Sequence, residues 1–184
     1  MPHLYGQRII LREYRESDFE HVRRWVNDSE ATANLSSIFD RVQTEAMTRS
    51  FFNKPLNNEL PGYYFIIADR RDESYIGQID IRTEEDPSRQ ASLGLIVPDP
   101  ANRGRGYGRE AIGLILTFAF DTLNLHKVWL HVFARNEGAI GLYRSLGFVT
   151  DGVLRDDVYR DGVYLDAMIM SILAHEWRSR APAR

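Results

Sequence analysis

No cysteine occurs anywhere in the 184-residue chain. That absence removes disulfide scaffolds, cysteine-ligated zinc, iron–sulfur clusters and a cysteine nucleophile from consideration. Proline is scarce, and no run of proline, glycine and serine is long enough to join two domains. We therefore expect one domain over residues 1–184, with no internal repeat to suggest otherwise. An excess of positive charge is also missing. A net charge of -3 and a pI of about 6.0 argue against bulk attraction to nucleic acid or anionic membrane, while leaving room for a local basic patch. The most apolar stretch, residues 111–120, is too short to span a bilayer, and residues 1–12 hold no apolar core of signal-peptide length. The expectation is a cytoplasmic protein with no nucleic-acid or membrane partner. The histidines at 3, 21, 126, 131 and 175 show no metal-ligand spacing, so they are read as structural and no metal is expected. No serine combines with histidine and acid in a recognisable motif.

What is present is a pattern of alternating elements. Residues 7–12 read as a first strand. Ser17-Asp18-Phe19-Glu20 has the form of a capping box with Ser17 as N-cap, and Phe19, Val22, Trp25 and Val26 follow at helical spacing. Residues 44–52 suit a short helix, and 53–62, with two prolines, a loop. Strands are expected at 63–68, 75–82 and 91–97, separated by turns at 69–73 and around Asp86-Pro87-Ser88. Glu84-Glu85-Asp86 is read as a solvated turn. Pro98-Asp99-Pro100 stops the last of these strands. Beyond it come an apolar helix at 109–123, a strand at 126–133 and a helix opened by Asn136 as N-cap. Gly147 ends that helix at C′, with Phe148 folding back on it. Asp161-Gly162 joins strands 153–160 and 163–173 and is the strongest hairpin signal in the chain. Asp156 and Asp157, on a strand, point to opposite faces and form no acid/base pair. The fold class is α/β: a single domain with a mixed, mostly antiparallel sheet flanked by helices.

The segment Arg103-Gly104-Arg105-Gly106-Tyr107-Gly108 joins a strand to the apolar helix, and Arg109 follows. A helix start leaves backbone N–H groups unpaired and partly positive, so anions bind there. Glycines let the backbone come close to a phosphate and take positive φ, and the arginines supply neutralising charge. A plain glycine-rich turn remains an alternative. An RGG-type nucleic-acid segment belongs in disordered tracts, unlike this one. The spacing is Gly-x-Gly-x-Gly rather than the dinucleotide Gly-x-Gly-x-x-Gly, and no Gly-Lys-Ser/Thr closes it as in a Walker loop.

Arg103, Gly106 and Gly108 resemble the Arg-x-x-Gly-x-Gly pyrophosphate loop of the GNAT superfamily of N-acetyltransferases. Asn136-x-x-Ala139-x-x-x-Tyr143-x-x-x-Gly147-Phe148 resembles that family's second signature, in the right order and separated by a strand. Leu11-Arg12 and Asp18 before a tryptophan-bearing helix are similar to the ribosomal-protein-alanine acetyltransferase branch. Asn124-Leu125-His126-Lys127 and the Asp161-Gly162 hairpin are similar to spermidine acetyltransferases. The resemblance implies the acyl-CoA N-acyltransferase fold and acetyl transfer from acetyl-CoA, as co-substrate, to a primary amine: a protein N-terminus, a polyamine or another small amine. By position it implies that the backbone of Leu95, Ile96 and Val97 binds the pantetheine arm. Arg103, Gly104, Arg105, Gly106, Tyr107, Gly108 and Arg109 would hold the pyrophosphate, Asn136 the CoA arm, and Tyr143 would sit near the thioester sulfur.

The chemistry assigns further roles. An amine of pKa roughly 10.4 arrives charged and must lose a proton, while the departing thiolate, near pKa 8.5, must gain one. Tyr143 suits the general acid. Many relatives of the resembled family carry a glutamate on the strand before the loop; residues 91–97 hold no carboxylate, and Asp80 on the adjacent strand is the candidate substitute base, with a solvated or salt-bridged strand carboxylate as the alternative. Asp28 and Glu30, after the first helix, are candidates for binding a cationic substrate, with plain surface charge as the alternative. The alternative is a catalytically weak CoA-binding sensor or interaction module. A homodimer is the default oligomer.

Overall fold

The computed structural model describes residues 3–83 and 87–180. The Glu84-Glu85-Asp86 turn lies outside the described residues. Packing groups the chain into two compact units, Met1–Arg82 with Gly94–Ile115, and Thr83–Leu93 with Leu116–Arg184. One eight-stranded sheet runs through the fold in the order β1-β2-β3-β4-β5-β6-β8-β7. The α/β class expected from the residues, with a mostly antiparallel sheet, is what forms.

In the first unit the strands are β1 (Leu4–Tyr5), β2 (Ile9–Arg12), β3 (Tyr63–Asp69) and β4 (Tyr75–Thr83), followed by the end of β5 (Gln90–Ile96). β1, β2, β3 and β4 pair antiparallel in succession. Apolar side chains of β2 and β3, including Ile10 and Ile66, pack with Phe19, Val22, Trp25 and Phe52. The polar positions of β4 differ in exposure, with Arg82 exposed and Asp80 half-buried. Gln78 is buried, donating from Nε2 to the Tyr14 hydroxyl at 2.7 Å and accepting from the Tyr75 hydroxyl at 3.1 Å. Those bonds satisfy the Gln78 amide where it is buried.

Two helix boundaries differ from the sequence expectation. Ser17 does not cap α1 (Phe19–Trp25); a 3-10 turn at Glu16–Asp18 leads into it, and the Asp18 carboxylate accepts the Arg15 N–H at 2.9 Å. Asp18 is fixed in that place by a buried, two-point pairing with Arg12 at 2.8 and 2.9 Å. A short α2 (Ser29–Thr32) follows. α3 (Glu45–Leu56) starts where expected, with Thr44 accepting from the Met47 N–H, but runs past Phe52 and through Pro55. Proline removes a single N–H here, and the turn closes beyond it through Asn57 N–H to Asn53 and Glu59 N–H to Lys54.

In the second unit, the start of β5 pairs parallel with β6 (Lys127–Phe133), Gln90 opposite Lys127 and Ser92 opposite Trp129. In sequence, α4 (Tyr107–Thr117), most of which belongs to the first unit, follows β5 and ends in a π-turn over Phe118–Thr122, so that strand, helix and strand alternate along the chain as expected. β6 pairs antiparallel with β8 (Val163–Leu173), and β8 with β7 (Val149–Arg160). Asp161 and Gly162 both take positive φ, 52° and 82°, as a type I′ turn requires. β7 is bulged between Leu154 and Val158, with Asp156 at φ 53°. The simple alternation of Asp156 and Asp157 is therefore lost, and each finds its own partner: the Asp156 N–H bonds Asp166, and Asp157 bonds His131. α6 (Ala174–Arg180), not expected from the residues, begins with the Glu176 carboxylate accepting the Leu173 N–H.

α5 (Glu137–Leu146) ends in a Schellman motif. The Phe148 N–H bonds the Tyr143 carbonyl at 3.1 Å, the Gly147 N–H bonds that of Arg144 at 3.0 Å, and Gly147 has φ 101°. A Cβ at Gly147 would also lie 2.6 Å from the Arg180 side chain. Gly147→Ala is therefore expected to cost more than ~1 kcal/mol, read as a lower urea midpoint at unchanged slope.

Candidate functional site

The loop after β5 has the backbone that its glycines foretold. Gly104 and Gly106 take φ of 69° and 85°, and α4 begins immediately at Tyr107, with the Glu110 N–H bonding the Gly106 carbonyl. The first-turn amides at Tyr107 and Gly108 have no intrahelical acceptor, because the residues that would supply one precede the helix. Positive-φ glycines before a helix start form a concave run of N–H groups suited to phosphate oxygens. Arg105 lies over the Tyr107 ring, its guanidinium carbon 5.3 Å from the centroid.

Arg103 does something other than face open solvent. Its Nε donates to the Val97 carbonyl at 3.1 Å, one Nη to the Pro98 carbonyl at 2.6 Å, and the other Nη to the Glu30 carboxylate at 3.0 Å. It straps the loop to the end of β5. The Val97 carbonyl is thus engaged, and Leu95 and Ile96 complete the half-buried strand end.

Asp28 and Glu30 are both already occupied. One Asp28 carboxylate oxygen caps α2, accepting the Glu30 and Ala31 N–H groups at 2.8 and 3.2 Å. Glu30 is the acidic partner of Arg103.

Asp80 faces Tyr64 across the β3–β4 pair, and its Oδ2 lies 2.8 Å from the Arg82 Nε. A Cβ at Gly94 would lie 2.7 Å from Asp80 Oδ1. The carboxylate therefore occupies the space that any side chain on β5 at that position would fill. Burial pushes the Asp80 carboxyl above its ordinary range, and the opposing pull of Arg82 does not cancel it. Burial, and then the Asp80 charge, push the Tyr64 phenol up in turn.

In the second unit, Asn136 caps α5 by accepting the Ala139 N–H at 3.3 Å, which leaves its side-chain amide NH₂ as the donor for other work. Tyr143 is buried against Phe148, ring centroids 5.6 Å apart. Among the described residues its hydroxyl has no hydrogen-bond partner. Burial raises its pKa to about 12.

One contributor was not visible in the sequence reading. Arg8, at the start of the chain, reaches the loop: its Nη1 donates to the Arg105 carbonyl at 2.7 Å and its Nε to Glu110 at 3.0 Å. Only a pairing between residues 102 positions apart brings it there, and no local motif announces that.

A strand ending in a glycine-bent loop that opens a helix, set on this sheet order, is the arrangement that the resemblance to the GNAT superfamily implies. Residues 8–149 match the family described as "Acetyltransferase (GNAT) domain". The chain belongs to the GNAT acetyltransferases. It is 32% identical over 151 residues to a spermidine N(1)-acetyltransferase of Vibrio cholerae, covering 81% of this chain and 83% of that protein. It is 26% identical over 171 residues to the spermidine N(1)-acetyltransferase of Escherichia coli (strain K12), covering 92% and 88%. A solved structure of the Vibrio cholerae spermidine N-acetyltransferase in complex with CoA and spermine superposes with a TM-score of 0.82 at 25% identity, over 94% of this chain and 99% of that one.

Proposed function

We propose that the protein transfers an acetyl group from acetyl-CoA to a primary amine by direct attack, with Asp80 as the base and Tyr143 as the acid. The reading rests above all on Asp80. A half-buried carboxylate with a raised pKa stands beside the end of β5, where Gly94 leaves room for it. It restores the proton acceptor that β5 itself lacks.

In the reaction the amine nitrogen bonds to the thioester carbonyl carbon and the carbon–sulfur bond breaks. Asp80, directly or through water, takes the proton that the ammonium loses before attack, and the second, shed as the amide forms, is matched by the one the departing thiolate gains. Tyr143 donates a hydrogen bond to the departing sulfur. Loop amides and arginines over residues 103–109 hold the pyrophosphate, the strand end at Leu95, Ile96 and Val97 the pantetheine amides, and the Asn136 amide the CoA arm. Polyamines are the first acceptors to try, because the relatives named for an acceptor are spermidine acetyltransferases. Asp28 and Glu30 would add attraction for a cation only after exchanging their present partners. Among the described residues no group of three or more histidine, aspartate and glutamate side chains is placed to hold a metal, and no helix is long and apolar enough to cross a membrane. A homodimer is supported by the edge strand β7, whose Val149, Val153 and Leu154 are exposed.

The test is thiol release from acetyl-CoA in the presence of spermidine, a peptide with an N-terminal alanine, and an aminosugar. At least one amine is expected to raise the rate well above hydrolysis. Binding of acetyl-CoA with no amine-dependent release would defeat the proposal.

Asp80→Asn supplies a sharper check. A carboxyl whose folded pKa is raised is favoured in its protonated form, so its contribution to stability is lost as pH rises through the folded pKa. Above its folded pKa, ionised Asp80 therefore costs stability, and the neutral amide removes that cost. Asp80→Asn is expected to hold or raise the melting temperature while lowering kcat by about 10²-fold or more and abolishing the acid limb of the pH–rate profile. A variant with the wild-type acid limb would remove Asp80 from the mechanism.

A further inference from the structure

Arg8 holds the phosphate loop through four separate contacts. Its backbone N–H and its Nε both donate to Glu110, at 2.9 and 3.0 Å, and its Nη1 donates to the Arg105 carbonyl at 2.7 Å. Its guanidinium carbon lies 5.3 Å from the Tyr107 ring centroid. A Cβ on Gly106 would come within 3.0 Å of its Nη2, so the loop lies directly against it.

The consequence follows from peptide geometry. In a trans peptide the carbonyl and the next N–H point in opposite directions. Once the Arg105 oxygen is drawn to Arg8, the Gly106 N–H points away from Arg8. The positive φ of Gly106 then turns the chain into the first turn of α4. Charge tells the same story. Glu110 lies in that first turn, where a carboxylate would oppose a bound phosphate. Arg8 offsets it, and the ion pair as a whole adds no net charge. What Arg8 supplies is thus orientation rather than electrostatic pull.

We propose that Arg8, backed by Glu110, is a positioning residue for the donor: it sets the Arg105–Gly106 peptide so that the loop and first-turn amides converge on a pyrophosphate. This rests on acetyl-CoA being the donor. The residue would act on the part of the donor that carries phosphate and not on the acetyl thioester.

The experiment compares acetyl-CoA with acetyl-pantetheine, which has the same thioester and no pyrophosphate. Arg8→Gln is expected to raise KM for acetyl-CoA by ~10-fold or more with kcat within about twofold, since hydrogen bonds to charged groups are worth roughly that much. Turnover of acetyl-pantetheine should be unchanged. Arg8→Lys keeps the charge but not the planar fork, so it should not restore KM. The double variant Arg8→Gln/Glu110→Gln should remain impaired. The proposal is overturned if acetyl-pantetheine turnover falls in step with acetyl-CoA turnover, as general loosening of the fold would cause. It is equally overturned if KM for acetyl-CoA does not move, or if Arg8→Lys or the double variant restores it, which would make the effect one of charge. Failure of the wild-type protein to bind CoA by calorimetry would defeat the donor assignment together with this inference, whereas wild-type binding with an unaltered Arg8→Gln would defeat this inference alone.

Discussion

Tyr143→Phe is expected to lower kcat by about 10²-fold, the lower end of what a general acid contributes, with CoA affinity unchanged. The size follows from the environment of the hydroxyl. Burial holds its pKa near 12, so it is protonated throughout the working range and is a donor, never a base. Full transfer of its proton to a thiolate whose conjugate acid lies near 8.5 runs uphill by roughly three to four pK units. In the proposed role its contribution would be a strong hydrogen bond to developing charge, with the proton following late. The descending limb of the pH–rate profile should not report Tyr143 below about pH 10. Saturating kinetics and CoA titration of the variant make the check; a kcat equal to wild type would take Tyr143 out of the chemistry.

Asp18→Ala is expected to destabilise the fold by about 3–5 kcal/mol, the usual result of stripping one partner from a buried ion pair. Both side chains are only 3% exposed. Asp18 also accepts the Arg15 N–H that shapes the entry to α1, so helix entry and charge are lost together. For a chain of this length, at ~2–4 °C per kcal/mol, the melting temperature should fall by roughly 6–20 °C. Replacing both members with apolar residues, Arg12→Met with Asp18→Leu, should recover much of the loss, because no charge is then left buried. A single variant that melts like the wild type would show that the pair contributes nothing.

Local signals carried most of what the sequence revealed. The Asp161-Gly162 turn, the bounds of β8, the Gly147 stop with Phe148 returning to Tyr143, and the bent glycines at 104 and 106 are each set by residues within one or two turns of themselves. Such positions are decided by backbone sterics, which neighbours cannot override cheaply. Harder to foresee were features set by partners distant in the chain. Ser17 loses the cap because Arg12 claims Asp18. Arg103 points to Val97, Pro98 and Glu30, and Asp80 gains its setting from Gly94. The β7 bulge defeats a strict period of two for the same reason: alternation assumes an unbroken ladder, and the Asp166 carboxylate draws the Asp156 N–H out of it.

The strapping of Arg103 bears on transplantation. A designer who copies residues 103–110 into another scaffold carries over the glycine bends and the helix start. The copy omits the Val97 and Pro98 carbonyls and the Glu30 carboxylate that hold one end. It also omits the arginine at position 8 that braces the other. A contiguous graft would be a floppy version of the original. A faithful one is a discontinuous patch drawn from three stretches of chain, and a swap library built on that patch would leave the surrounding acceptor residues free to vary.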